Sequence, residues 1–204
     1  MWVARWPPTS NQPRAVDLWH GVRGTDIPGT PQEPTASMPE TSPIRIHQAT
    51  AADRSQIEAL LVSSWGSTTV VSRGVAHDAA VLPAFVATRA GELVGLATYR
   101  ISGGACELVS LDATERRRGV GSALLAHVAQ QARAHGARRL WLITSNDNLD
   151  ALRFYQRRGL RLVAVHRGAV DQARRLKPSI PLTGEHGIPI HDELELELVL
   201  TPEA

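Results

Sequence analysis

Apolar and polar positions alternate along the chain in two rhythms, and their switching predicts an α/β order. Pro43 to Ala49 alternates with period two, with Ile44 and Ile46 on one face. Thr50-Ala-Ala-Asp53 then leads into a helix through about Ser64, with Ile57, Leu60 and Leu61 apolar and Thr50 or Asp53 as N-cap; Trp65-Gly66 ends it. Ser67 to Val81 is polar and irregular. Leu82 to Thr88 and Leu93 to Ile101 read as strands joined at Ala90-Gly91, a hairpin signal. A strand Glu107–Leu111, a helix Gly119–His135, a strand Arg139–Thr144, a helix Leu149–Arg158 and a strand Leu160–His166 follow. Arg167 to Pro189 is rich in proline and glycine, with one short helix over Asp171–Leu176. A last strand runs from about Ile190 to Leu200, with Leu194, Leu196 and Leu198 inward. The order β-α-β-β-β-α-β-α-β-β describes a mixed sheet with helices on both faces.

Residues 1–42 break this pattern. They hold seven of the 13 prolines and no sustained apolar period, which predicts an extended or disordered extension before a domain spanning 43–204. Trp2, Trp6 and Trp19 are unusual in such a tail, and Met38, the only internal methionine, is a candidate second translation start.

Composition narrows the class. The formal charge is +2, too small to point to nucleic acid, and the cations are almost all arginine, with Lys177 the single lysine. Cys106 stands alone, so no internal disulfide can form. No apolar run approaches the roughly 18 residues of a membrane span, and no signal-type segment follows Met1. A cytoplasmic protein without membrane or nucleic-acid partners is expected.

The candidate chemistry begins at the turn Arg116-Arg-Arg-Gly-Val-Gly-Ser122, set between a strand and a helix. Such a turn aims free backbone N–H groups and the helix dipole at one point, which attracts phosphate. Gly119 and Gly121 would permit close approach or positive φ, and Arg116, Arg117 and Arg118 add charge-assisted bonds. The turn lacks the third glycine of a dinucleotide fingerprint and the Gly-Lys-Ser/Thr of a P-loop. A second segment, Ser145 to Leu160, follows the next strand with Asn148, Ala151, Tyr155, Gly159 and Leu160.

Together these two segments resemble the motifs of the GNAT superfamily of N-acetyltransferases, over roughly Pro43 to Leu200. The resemblance implies a mostly antiparallel central sheet with a splayed strand pair that receives acetyl-CoA. It implies that Arg116, Arg117, Arg118, Gly119, Val120, Gly121 and Ser122 hold the diphosphate. Backbone groups of Leu111 and Ala113 would pair with the pantetheine arm, and Asn148 and Ala151 would border it. A helix N-cap is the alternative for Asn148. Tyr155 matches the general acid, since a phenol near pKa 10 can protonate a departing thiolate; a core residue whose hydroxyl only orients the thioester is the alternative. Glu107 is the first candidate base, with Asp192, Glu193 and His77 in reserve. One of Arg153, Arg157 and Arg158 is a candidate for the donor's 3′-phosphate.

The acceptor is expected to be a small-molecule amine. A peptide or protein N-terminus and a non-catalytic acyl-CoA sensor are the alternatives. Pairing of two copies is common among such enzymes, and no residue here decides it. Glu193, Glu195 and Glu197 form a charged comb, read as the solvated face of an edge strand, with attraction of a cationic acceptor as the alternative. Glu185, His186, His191 and Asp192 lack a metal-ligand spacing, so no metal is expected.

Overall fold

The structure is a computed structural model and describes residues 42–115 and 118–200. The proline-rich extension, with its three tryptophans and Met38, lies outside the described residues, as do Arg116 and Arg117. The chain runs β1 (Arg45–Gln48), α1 (Arg54–Trp65), β2 (Thr69–Ser72), β3 (Val75–Asp78), β4 (Ala84–Arg89), β5 (Glu92–Ser102), β6 (Ala105–Ala113), α2 (Val120–Ala134), β7 (Arg139–Ser145), α3 (Leu149–Gln156), β8 (Arg161–His166), α4 (Ala169–Ala173) and β9 (Glu193–Val199). Seven strands form one sheet in the order β1-β4-β5-β6-β7-β9-β8, and β2-β3 stands apart as a hairpin. Every neighbouring pair in the sheet is antiparallel except β6–β7.

Helix α1 starts behind a short turn, where the Thr50 backbone N–H and hydroxyl both donate to Asp53 Oδ2, at 2.8 and 2.9 Å. It ends at Gly66, whose φ of 74° supplies the left-handed cap. Ile57, Leu61 and Trp65 lie buried along α1 at helical spacing, in one core with Val70, Leu96, Val109, Ile143 and residues of the 170–190 segment. A second core on the other sheet face packs α2 (Val120, Leu124, Val128, Ala132) and α3 (Ala151, Tyr155) against Ala97, Leu108, Leu111, Leu140 and Leu142. Gly95 permits the closest approach there: a Cβ on it would lie 2.5 Å from Val120 Cγ1 and 2.9 Å from Leu124 Cδ1.

Three expectations change. Ser67–Val81 is not irregular: Thr-Val-Val-Ser and Val-Ala-His-Asp pair as β2–β3 around a tight Arg73-Gly74 turn, with φ of 48° and 73°. The polar residues hid a β-branched alternation. The short helix of the 167–189 segment starts earlier than expected, over Ala169–Ala173. And β9 is no edge. It lies between β7 and β8, and Glu193 and Glu195 are buried rather than solvated. Side-chain partners explain how the strand can bury Glu195, which meets Arg73, Arg139 and His166 at 3.0, 2.6 and 2.9 Å. The edge strands are β1 and β8.

Candidate active site

Strands β6 and β7 pair at only three positions, ending at Glu107↔Trp141. Beyond that point β6 continues on β5 to Ala113, while β7 continues on β9 to Ser145. The two therefore diverge, and no strand among the described residues pairs with Leu108–Ala113 on the β7 side. A register shift at Thr98/Tyr99 makes Val109 an extra residue in β6. Such a bulge bends the strand and sharpens its twist, which turns β6 away from β7.

Helix α2 begins at the mouth of this opening. Gly119 is its N-cap with φ 81°, a conformation that favours glycine, and no side chain caps it. The first N–H groups of a helix lack intrahelical acceptors, so they face outward as donors. They border a cleft of about 780 Å³, lined by Gly119 to Ser122 on one side and by Arg153, Phe154, Arg157 and Arg158 of the α3 region on the other. Gly121 is helical, and its lack of a side chain serves packing: a Cβ there would lie 3.3 Å from Phe154 Cζ.

Arg158 is fixed at this rim. Its guanidinium stacks 3.6 Å from the Phe154 ring centroid, its Nη1 donates to Phe154 O at 2.8 Å, and its Nε donates to the Ser122 hydroxyl at 2.9 Å. Burial, and next the nearby Arg157, pull its pKa below the usual arginine range. Arg153 instead pairs with Asp150 at 2.9 Å, and Arg118 is exposed.

Tyr155 projects from α3 and is fully buried, against Phe154 in an edge-on contact of 5.0 Å. Its hydroxyl has no hydrogen-bond partner among the described residues. Burial foremost, then the negative charge of Asp112, push its pKa well above the usual phenol value. Asp112 lies on β6 between Leu111 and Ala113. Both its oxygens accept from Trp65 Nε1, at 2.9 and 3.0 Å, and burial lifts its pKa to about 7. Asn148 is the N-cap of α3, its Oδ1 accepting from the Ala151 N–H at 3.0 Å. Ala151 packs in the core with Tyr155.

Glu107 sits at the last paired position before the strands part. Ser72 of the hairpin donates to its Oε1 at 2.7 Å, and Arg100 Nη1 lies 3.7 Å from its Oε2. His77 lies close enough that the Glu107 charge partly opposes the burial that lowers its pKa. Cys106, next in sequence, is buried on the other side with its thiol pushed up to about 12, an inert packing residue. Of the other reserves, Asp192 accepts the Gly168 N–H at 2.8 Å, and Glu193 lies under the Arg73 turn, 3.2 Å from its N–H.

The structure thus gathers Gly119, Val120, Gly121 and Ser122 at the cleft. Leu111 and Ala113 lie along the parted strand, with Tyr155 buried behind the cleft rim and Glu107 at the apex. The sequence reading missed Asp112 and Trp65. A carboxylate within an otherwise apolar strand was a signal for the first. It also missed Lys177 as an anchor: its Nζ donates to Trp65 O and Thr69 O at 3.0 and 2.7 Å, tying the 167–189 segment to α1.

A sequence model of the acetyltransferase (GNAT) family matches residues 52–160. The chain belongs to the GNAT acetyltransferase family. Its members' enzyme class, acetyl-CoA-dependent acyl transfer, is therefore its own. Among curated relatives, the chain is 38% identical to the uncharacterized protein YxbD of Bacillus subtilis over 141 residues, 69% of this chain and 89% of that one. It is 46% identical to YdhI of the same organism over 110 residues, 54% of this chain and 69% of that one. The same fold recurs in an IAA acetyltransferase from Bacillus cereus, with TM-score 0.60, 19% identity and coverage of 78% and 100%. It recurs in a Bacillus subtilis acetyltransferase solved in complex with CoA, with TM-score 0.58, 20% identity and coverage of 78% and 100%.

Proposed function

We propose that this GNAT domain transfers an acetyl group from acetyl-CoA to a primary amine, by direct attack in a ternary complex, with a small-molecule amine as acceptor. The observation that carries the reading is the buried, unpartnered Tyr155 hydroxyl behind a cleft that a helix N-terminus borders. A polar atom kept from water without a partner is disfavoured unless a ligand completes it.

The residues fit the donor. Backbone N–H groups from Gly119 to Ser122, with Arg118 and the sequence-adjacent Arg116 and Arg117, hold the diphosphate. Arg158, held by Phe154 and Ser122, faces the same cleft and suits a further phosphate. The outer backbone edge of β6 at Leu111 and Ala113 receives the pantetheine amides where β7 has departed. Asn148 and Ala151 fix the start of α3 and thereby place Tyr155.

When bound, the thioester supplies an activated acyl carbon and a thiolate leaving group. Tyr155 hands its proton toward the departing sulfur; burial keeps the phenol protonated at neutral pH. Glu107, at the apex, takes the proton of the attacking ammonium directly or through water. Ser72 and Arg100 hold its carboxylate in place.

Calorimetric titration with acetyl-CoA, followed by thiol release against a panel of amines, peptides and aminoglycosides, tests the reading. Donor binding with turnover on a small amine supports it. Absence of donor binding refutes it, and donor binding with no product from any amine replaces it with a sensor.

A further inference from the structure

The strands and hairpin beside Glu107 carry a second feature. Consecutive hairpin residues touch two different carboxylates: Ser72 bonds Glu107, and Arg73 N–H bonds Glu193 Oε2 at 3.2 Å. Both carboxylates therefore lie beneath one hairpin tip, on strands separated by β7. Through β7, Glu107 is level with Trp141 and Glu193 with Ser145, so two strand spacings of about 5 Å each and a four-residue offset part their backbones, and the two side chains reach toward each other under the tip.

Glu193 is fully buried, and its Oε1 has no partner among the described residues. The other buried carboxylates differ. Asp112 accepts from Trp65. Asp147 accepts from the Ser145 hydroxyl and the Glu185 N–H. Glu195 pairs with the guanidinium groups of Arg73 and Arg139 and bonds His166 Nε2. A carboxylate withdrawn from water with one oxygen unfilled is a poor arrangement until a proton or a cation completes it. Burial accordingly raises its proton affinity, against the opposing pull of the Arg73 N–H and His166.

The cover over Glu193 is built to yield. Arg73 takes φ 48°, a conformation that non-glycine residues seldom adopt, and both Arg73 and Gly74 are exposed. The contacts from the tip to β9 are polar: the Arg73 N–H on Glu193 and its half-exposed guanidinium on Glu195 at 3.0 Å. A cation entering from solvent meets the same two carboxylates that Arg73 now bridges.

We propose that Glu193 is the ammonium-binding carboxylate of the acceptor site, and that the Arg73 tip of β2–β3 gives way to admit a cationic amine. The acceptor class follows: an amine whose positive charge Glu193 holds while Glu107 receives the proton of the attacking nitrogen, with diamines of short span favoured. This rests on the acetyltransferase reading of the site.

The test is calorimetric titration of the full chain with ethylenediamine and methylammonium, with acetyl-CoA titrated separately. The wild-type protein binds ethylenediamine. Glu193→Gln weakens that binding roughly tenfold to a hundredfold, the range of a charged hydrogen bond. Glu197→Gln, the same charge change on the same strand, leaves it unaltered, and acetyl-CoA affinity is equal in all three. No amine binding by the wild type, or equal weakening in both variants, overturns the proposal. Should Glu193→Gln lose acetyl-CoA binding through misfolding, Glu193→Asp replaces it: weakened amine binding supports the proposal and unchanged binding overturns it. Failure of acetyl-CoA to bind the wild type counts against the transferase reading alone, because the amine titration is scored without it.

Discussion

Replacing Tyr155 by phenylalanine should make the protein more stable and less active. The side chain is fully buried and its hydroxyl has no partner among the described residues. A buried polar group left unpaired costs about 1–3 kcal/mol. Tyr155→Phe removes that penalty and keeps the ring, including its 5.0 Å edge contact with Phe154. The void left by one oxygen, on the order of 10 Å³, offsets only about 0.2 kcal/mol at the usual cavity coefficient. The net gain is therefore about 1–3 kcal/mol. For a domain of this size that raises Tm by about 2–12 °C. The same change removes the proposed proton donor, and thiol release should fall about a hundredfold or more, with donor affinity near normal. Urea denaturation, thermal melts and a thiol-release assay on the two proteins measure all three quantities. A less stable Tyr155→Phe protein would show that the hydroxyl already has a bonding partner in the folded state. Undiminished turnover would remove Tyr155 from the chemistry.

Other outcomes follow from the same structure. Asp112 should make stability fall with pH: its folded pKa of about 7 stands above the ordinary 3.8, so its proton favours the folded state below the lower value and that contribution is lost as pH rises through about 7. Three pH units correspond to about 4 kcal/mol in full; urea titrations should show this slope in the wild type and its disappearance in Asp112→Asn, and parallel slopes would contradict the assignment. Gly121→Val should lower acetyl-CoA affinity at least about tenfold, because its Cβ already meets Phe154 at 3.3 Å and the larger side chain must push α2 and α3 apart at the cleft; equal affinity by calorimetry would refute the role of that contact. Glu107→Gln should lower turnover about a hundredfold without changing donor affinity; undiminished turnover would exclude Glu107 as proton acceptor. Lys177→Met should release the 167–189 segment from the Trp65 and Thr69 carbonyls and raise KM for the amine more than for acetyl-CoA; equal effects on both would deny that segment a place on the acceptor side.

Periodic and glycine-bearing stretches were the legible ones. The α2 pattern Leu124, Leu125, Val128, Ala132 gave its buried face directly, and all four residues are buried. The mostly antiparallel sheet and the parting of β6 from β7 came from the motif resemblance; the five antiparallel pairings show the first and the three-pair β6–β7 register the second. What stayed hidden was set by tertiary charge pairing. The Glu193-Glu-comb alternation fits an edge strand equally well until Arg73, Arg139 and His166 arrive from three distant segments. Gly121 is a similar case. Sequence offers close approach to phosphate as the reason for glycine, while the coordinates also show Phe154 of another helix filling the space. Asp112 becomes intelligible only once Trp65 is seen to donate to it across 47 positions of sequence. Contacts between remote segments leave no local periodicity to read.

Determination of the protein's structure with acetyl-CoA bound tests the central claim most directly. The account predicts the diphosphate on the backbone N–H groups between Gly119 and Ser122, the pantetheine arm along Leu111–Ala113, and the thioester sulfur within hydrogen-bond reach of the Tyr155 hydroxyl. A diphosphate bound away from the start of α2, or an arm that leaves β6 and β7 unbridged with Tyr155 out of reach, would contradict it.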